Sequence, residues 1–453
     1  MIKLGAHGTT PDRLFPVFPC TVFGQWLNSG DTLLLTNHLF VTLMPESAGK
    51  IGAKRQTPNA KRQTPMLDLS LTKKQVAFQK QLRLFVDTEI LPVARENDLK
   101  HHVDRNIIAR MGKLGLLGVT IPRKYGGSGL DFVSLAIVAE EIERGDAAFR
   151  TLLSVHLGLN SMALLKFGSE QQKKRLLTPQ AQGKVLAAFG LTEPDAGSDV
   201  ASMKSTAIRQ ADGSYLLNGH KRWIGYATMA GHLLVFAKTN PEAGHRGISA
   251  FILKQGMTGL QTRDIKNKLG LWSSSTGEIF MENVRVPAAN LIGREGEGFK
   301  IAMYALDMGR FTVAAGALGT IRACLEHSVS YAKKRTTFGK EIGRNQFVQE
   351  MIAKMVLNLE TSRLLVLQVA WLKNQGKRDT REVSLAKWHA TEAAFAAAND
   401  ALQIHGNKGY SDDESAIGRY FRNARAPIIY EGTTQIHKMM QAEHALGYRS
   451  LNG

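Results

Sequence analysis

Hydrophobic periodicity changes twice along this chain, near Lys184 and near Gly298, and nothing restricts its fold more. Before the first change, "DLSLTKKQVAFQKQLRLFVDTEILPVA", "DFVSLAIVAEEIERG" and the stretch from Phe149 to Phe167 carry apolar residues at helical spacing, with Ser70 or Thr72 as a cap. Between the changes, "STAIRQADGSYLLNGHKRWI" reads as two strands around Asp212-Gly213, a strong hairpin signal. "HLLVFAKT", "GISAFILK" and "TGEIFMENVRVP" follow at short spacings. After the second change the pattern is helical again. Phe347, Met351, Met355 and Leu359 recur every four residues, and "SLAKWHATEAAFAAANDALQIHG" is alanine-rich and suited to close packing. The expectation is an α+β fold with a helical N-terminal domain (66–182), a middle β-domain of barrel or sandwich type (183–294) and a C-terminal four-helix bundle (295–450).

Residues 1–65 follow none of these patterns. They hold scattered Pro and Gly and a tandem "KRQTPNAKRQTP", and read as a disordered extension. A transit peptide, or a true start at Met66, would account for them equally well. The net charge of +19 invites a nucleic-acid reading, but the basic residues are spread along the chain without an arginine-rich helix or an aromatic-interleaved patch. A solvated basic surface, or one facing an anionic substrate, is expected instead, with no nucleic-acid partner. No apolar run approaches the roughly 18 to 20 residues of a membrane span, so no membrane insertion is expected. Cys20 and Cys324 lie far apart, which argues against a disulfide framework and for a reducing compartment.

Common catalytic signatures are missing. The chain has no G-x-G-x-x-G after a strand, no phosphate-binding G-x-x-x-x-G-K-[ST], no zinc-spaced Cys/His cluster and no G-x-S-x-G, so no metal is expected. Three other segments carry chemistry. "FGLTEPDAGSD" (189–199) offers the Thr192 hydroxyl, a turn at Pro194-Asp195 and close backbone approach at Gly197. "RTTFGKEIGRNQF" (335–347) joins two helices and presents Arg335 to an anion. "APIIYEGTTQIH" (426–437) places Glu431 after apolar residues, where desolvation would raise its pKa toward a general base's range; a helix N-terminal glutamate is the plainer reading.

The ordered motifs "LTEPDAGSD", "KRWI", "LDMGR", "RTTFG", "QIHG" and "YEGT" resemble those of the acyl-CoA dehydrogenase family, over essentially all of Leu67 to Tyr448. The resemblance implies that family's fold and an FAD enzyme. FAD would be met by Phe189, Leu191, Thr192, Gly197 and Ser198, and by Trp223, Ile224 and Gly225. A neighbouring subunit would supply Arg335, Thr337, Phe338 and Gln346, with Gln403, Ile404, Gly406 and Asn407. Thr433 and Gln435 would complete the site, and a site shared between subunits implies a homotetramer. Glu431 would be the base that takes the α-proton of an acyl-CoA as the β-hydride leaves to the flavin, giving the trans-2-enoyl-CoA. Ser198, Asp307 and Arg310 match contacts to the CoA arm, and Gly432 would lie against the thioester. Some members carry the base at the position of Gly309, which here has no side chain. Electrons would pass to an electron-transfer flavoprotein. Gly225 within "KRWIG" resembles a short-chain acyl-CoA oxidase branch, which hands electrons to oxygen and is the alternative. Asn407 stands where a second glycine is usual and tolerates left-handed geometry. Asn423 replaces a frequent aspartate. The location implied is the cytoplasm in a bacterium or the mitochondrial matrix.

The substrate rests on one buried-looking arginine. "ERGDAAFRTLLSV" resembles glutaryl-CoA dehydrogenases, in which the matching arginine binds the distal carboxylate. Arg150 would do so here, with Glu143 the nearby acid. The plainer reading pairs Arg150 with Glu143 or Asp146 as a structural ion pair.

Overall fold

A computed structural model of the chain describes residues 69–448. The extension assigned to 1–65, its tandem repeat and Met66 lie outside the described residues. The N-terminal region contains α1 (Lys73–Phe85), α2 (Leu91–Leu99), α3 (Arg105–Lys113), α4 (Phe132–Gly145), α5 (Ala147–Leu153), α6 (Met162–Phe167), α7 (Glu170–Gln172) and α8 (Thr178–Ala181). Thr72, rather than Ser70, caps α1, in a reciprocal capping box with Gln75. Asp146 ends α4 and caps α5 through the Ala148 N–H (2.9 Å). The predicted helix from Phe149 to Phe167 is interrupted by a wider π-helical stretch over Ser154–Ser161. Such turns carry a local distortion that often marks functional ground.

The middle region is one sheet built from β1 (Ala187–Gly190), β2 (Thr206–Arg209), β3 (Tyr215–Gly225), β4 (His232–Lys238), β5 (Ile248–Lys254), β6 (Leu260–Asp264), β7 (Thr276–Val286) and β8 (Leu291–Ile292). The order is β6-β7-β3-β2-β4-β5-β8, with β1 alongside β4 in parallel. The β2–β3 hairpin falls where Asp212-Gly213 places it, with Gly213 at φ +81°. Strands β4 and β5 are buried along almost their whole length. Each fully buried Leu, Ile, Val or Phe there contributes about 1.5–3 kcal/mol. The β3–β7 register shifts between Lys221 and Ile224, and this irregularity turns Trp223 out to solvent at φ +63°.

The C-terminal region holds α9 (Gly298–Lys334), a small hairpin of β9 (Thr336–Thr337) and β10 (Lys340–Glu341), α10 (Gln346–Asn374), α11 (Thr380–His405), α12 (Asn407–Tyr410), α13 (Ile417–Ala424) and α14 (Thr434–Ala445). Helix α9, about 55 Å long, packs against α11, α4 and α10. Arg322 of α9 ties into α4 through Glu140 and Glu141. Helix α10 corrects one expectation: its apolar residues do not form one buried face, since Met355 and Leu359 are buried whereas Phe347, Val356, Leu357 and Leu364 face solvent. Among the described residues it is also the one helix long and apolar enough to cross a membrane by length and composition alone, a test that a packed helix of a bundle passes as well.

Candidate active site

Glu431 sits in a two-residue left-handed turn between the short 3-10 turn Ala426–Ile428 and α14. Glu431 has φ +56° and Gly432 φ +98°. For a residue with a Cβ this conformation costs about 1–2 kcal/mol, so neighbours must hold it. Arg310 Nε donates to the Glu431 carbonyl (3.0 Å) and Lys387 Nζ to the Gly432 carbonyl (2.7 Å). Thr433 caps α14 through the Ile436 N–H (3.4 Å). That fixes the turn's exit and leaves the O–H of Thr433, assigned above to the cofactor, free to donate; Gln435 is exposed.

The Glu431 side chain points inward. Its Oε2 is buried and has no hydrogen-bond partner. A β-carbon on Gly309 would lie 2.2 Å from that oxygen and 2.6 Å from Leu159 Cδ2. Burial raises the Glu431 carboxyl to about 7, against the opposing pull of Arg150, Lys387 and Arg310. An unpartnered oxygen on a carboxyl poised near neutrality can accept a proton. Gly309→Ala is expected to displace the carboxylate and cut proton abstraction by an order of magnitude or more. Retained turnover with Glu431 unmoved in a crystal structure would contradict this.

Arg150 is wholly buried, and each of its three nitrogens has a partner. Its Nε pairs with Glu143 Oε2, its Nη1 donates to Ser154 Oγ (3.2 Å) and its Nη2 to Tyr430 OH (2.6 Å). Of the two structural partners considered from sequence, Glu143 is the one used. Asp146 serves the α5 cap and lies 4.0 Å from Arg419. Thr320 Oγ1 donates to the other Glu143 oxygen (3.1 Å), and Thr312 Oγ1 meets Ser154 Oγ (2.7 Å). Gly309, Thr312, Gly316 and Thr320 thus form one stripe of α9. Gly316 leaves room for Arg150 and Glu143, since a β-carbon there would come within 2.7 Å of both. Tyr430 carries this polar shell to its neighbour in the chain, Glu431. Asp307 lies at the same end of α9 and pairs with Arg310 Nη1 (3.0 Å). Arg310 is therefore turned toward the base's turn.

The residues assigned to the flavin fall into two sets. In the first, Phe189 packs on Phe236 and Leu191 is buried. Glu193 braces the loop from within: it pairs with buried Lys221 (2.7 Å) and accepts the backbone N–H groups of Lys204 (2.5 Å) and Ser205 (3.1 Å). The Thr192 carbonyl accepts the Arg222 N–H (2.9 Å), which joins this loop to the strand end carrying Trp223, Ile224 and Gly225. The Pro194-Asp195 turn is closed by Glu193 and Ala196. Gly197 faces open space, Ser198 is exposed, and the Trp223 indole is 55% exposed. Open main chain beside an uncovered flat indole fits a planar cofactor. Gly225 leaves room as well, since a β-carbon there would meet Val155 Cγ2 at 3.0 Å.

The second set stands on the surface. Arg335, Phe338 and Gln346 are exposed, Phe338 entirely so, and Thr337 is partly covered. Gln403, Gly406 and Asn407 are exposed, while Ile404 is buried. The left-handed geometry allowed to Asn407 falls on Gly406 (φ +56°), and Asn407 opens α12. Asn423, unexplained in the sequence, accepts the Leu271 N–H (2.6 Å). It thereby holds a loop residue at φ +53°. A cleft of about 410 Å³ opens beside Ser198, between Asp199–Ala201, His245 and the Phe299–Met303 start of α9. Among the described residues, no His/Cys/Asp/Glu group could hold a metal ion.

Sequence reasoning missed Lys387, His437, Tyr430 and the Glu193–Lys221 brace. The signal for Lys387 was available: it stands four residues from Val383 and from Thr391, on the buried face of the alanine-rich helix.

Three comparisons bear on the site. The chain matches the acyl-CoA dehydrogenase N-terminal, middle and C-terminal domain models over residues 72–184, 188–284 and 296–446. It is 42% identical over 379 residues to an acyl-CoA dehydrogenase of Bacillus subtilis (strain 168), covering 84% of this chain and 100% of that one. Among solved structures, butyryl-CoA dehydrogenase from Megasphaera elsdenii aligns with a TM-score of 0.82 at 38% identity (84% and 100% covered). A glutaryl-coenzyme A dehydrogenase in its glutaryl-CoA complex aligns with 0.82 at 39% (85% and 98% covered).

Proposed function

The chain belongs to the acyl-CoA dehydrogenase family, and we propose that it oxidises a short-chain acyl-CoA thioester to the trans-2-enoyl-CoA, with Glu431 as the base. The observation that carries this is the Glu431 carboxyl, raised to about 7, with its Oε2 buried, unpartnered and set against Gly309. The family's cofactor is FAD, which when bound accepts the substrate's β-hydride.

The chain's own residues do the rest. Glu431 takes the α-proton, and its left-handed turn, held by Arg310 and Lys387, fixes the carboxylate's direction. The Phe189–Ser198 loop and the Trp223–Gly225 strand end form one wall of the cofactor site. The cleft beside Ser198, lined by Val200, Ala201, Phe299 and Met303 with the polar Ser198, Asp199 and His245 at its wall, is the opening on this side that a CoA arm could follow. Behind the base stand Arg150, Glu143, Ser154 and Thr312. A long apolar tail directed there would meet polar groups it cannot satisfy, which favours a short acyl chain.

A second reading, a distal carboxylate as in glutaryl-CoA, is favoured by Arg150. Its Nη1 and Nη2 each contact one neighbour in the chain, which leaves a second N–H on each. A carboxylate bound there would leave as CO2 after oxidation, the electron pair of the broken C–C bond taking up a proton to give crotonyl-CoA. Electron-transfer flavoprotein is proposed as the acceptor. The surface setting of Arg335, Phe338 and Gln346 and the uncovered apolar residues of α10 support a homotetramer in which a neighbour completes the flavin site.

Anaerobic titration of the FAD-loaded protein with butyryl-, hexanoyl-, octanoyl- and glutaryl-CoA tests this. Bleaching is expected to be fastest with butyryl-CoA. Fastest bleaching by glutaryl-CoA selects the second reading, and no bleaching by any of them refutes both. Peroxide formed at the turnover rate in air would replace the flavoprotein acceptor with oxygen.

A further inference from the structure

We propose that Lys387 is a positioning residue for this dehydrogenation: from inside α11 its ammonium holds the Gly432 carbonyl and so fixes where the Glu431 carboxylate points. The inference rests on Glu431 being the base, as proposed above. Lys387 is completely buried on a face otherwise made of Val383, Ala386, Ala390, Thr391 and Ala394. Its bond to Gly432 is short, at 2.7 Å. Removing an ammonium from water costs several kcal/mol even when it is paired. A neutral amide could satisfy one carbonyl at far lower cost. An amine nevertheless stands here, able to donate in either protonation state, against the second left-handed residue of the turn whose first residue is the proposed base.

The turn is gripped from three elements. Arg310 of α9 holds the Glu431 carbonyl, and Lys387 of α11 holds the next one. His437 of α14 is buried with Nδ1 on Ser384 Oγ (2.9 Å), and a β-carbon on Gly432 would stand 3.0 Å from its Nε2. The charged and titratable groups around the base are therefore Arg150 from α5, Arg310, Lys387, His437 and the adjoining Tyr430. Burial keeps His437 neutral, with its pKa drawn down to about 3, and pushes Tyr430 up to about 12. Arg150 and Arg310 are permanently charged. Lys387 is the cation of this set that can change its protonation near neutral pH, since burial lowers it to about 7.

The test is stopped-flow flavin reduction across pH, with bound FAD and thermal midpoint recorded for each variant. Lys387→Met is expected to lower the limiting reduction rate about 10- to 100-fold with little change in half-saturating butyryl-CoA, and to retain FAD. Lys387⁺ favours the Glu431 carboxylate, so its removal raises the Glu431 pKa and moves the acid limb of the rate profile to higher pH. Lys387→Gln keeps a donor for the Gly432 carbonyl without the charge. It should recover part of the rate while keeping the displaced limb. An unchanged rate and limb in folded Lys387→Met overturns the proposal, as does failure of both variants to fold, which would make Lys387 structural. Glu431→Gln measured alongside separates the two layers. If it still reduces flavin, the function reading fails; if it does not while Lys387→Met equals wild type, only the positioning role fails.

Discussion

Glu431→Gln is expected to abolish flavin bleaching by acyl-CoA while leaving the protein yellow. The substitution keeps the side chain's size but removes the carboxylate proposed to accept the α-proton. General-base catalysis contributes about 10²–10⁴-fold, so residual reduction should fall by at least that factor. The variant should fold well. The Glu431 Oε2 has no donor to lose, and the buried charge it removes was costly at neutral pH. In the parent protein the base must be ionised. Its pKa is raised from the ordinary 4.5 to about 7, so reduction should rise with pH through that region and level off above it. The variant should show no such limb. A variant that reduces flavin within tenfold of the parent, or keeps the limb, would remove Glu431 from the mechanism.

Arg150→Ala should have the largest effect on stability. It leaves the Glu143 carboxylate buried with only Thr320 for company and strips Ser154 and Tyr430 of a donor. Removing one partner of a buried ion pair costs about 3–5 kcal/mol. The thermal midpoint should fall by many degrees, and most of the loss should return when Glu143 is neutralised as well, in Arg150→Met/Glu143→Leu. The single variant also tests substrate. Equal losses of kcat/KM for butyryl- and glutaryl-CoA would confine Arg150 to the scaffold, whereas a loss selective for glutaryl-CoA by tenfold or more would give it the distal carboxylate. A midpoint unchanged in Arg150→Ala would mean that Glu143 finds another partner or takes a proton.

The two changes of period located the three regions because they reflect which faces each element buries, a property written into every residue of a helix or strand. The Thr72 cap, the Asp212-Gly213 hairpin and the start of α9 at Gly298 were legible for the same local reason. The site was legible as motifs but not as a shape. "YEGT" pointed to Glu431, but its burial comes from Gly309 and Leu159, which lie 122 and 272 positions earlier in the chain. Arg150 stood out as misplaced, and its partner Glu143 was among those named. Tyr430 and Ser154 were not, because three-way coordination depends on how α5, α9 and the final turn meet. Lys387 was legible as a residue of the buried face, four positions from Val383 and Thr391, but its partner Gly432 lies 45 positions later and was not.

The α9 stripe has a bearing on how such a pocket can be altered. Gly309 fits against the base, Thr312 against Ser154, and Gly316 and Thr320 against the Arg150–Glu143 pair, along about 16 Å of one stiff rod. In the proposed reading, the reacting end and the far end of the acyl site are thus cut on the same key. Shifting or rotating α9 would move Gly309 off Glu431 and Gly316 off the Arg150–Glu143 pair together. Room for a longer acyl group is therefore expected to come from side-chain exchange on α4, α5 and the π-helical stretch, with α9 left as the fixed gauge.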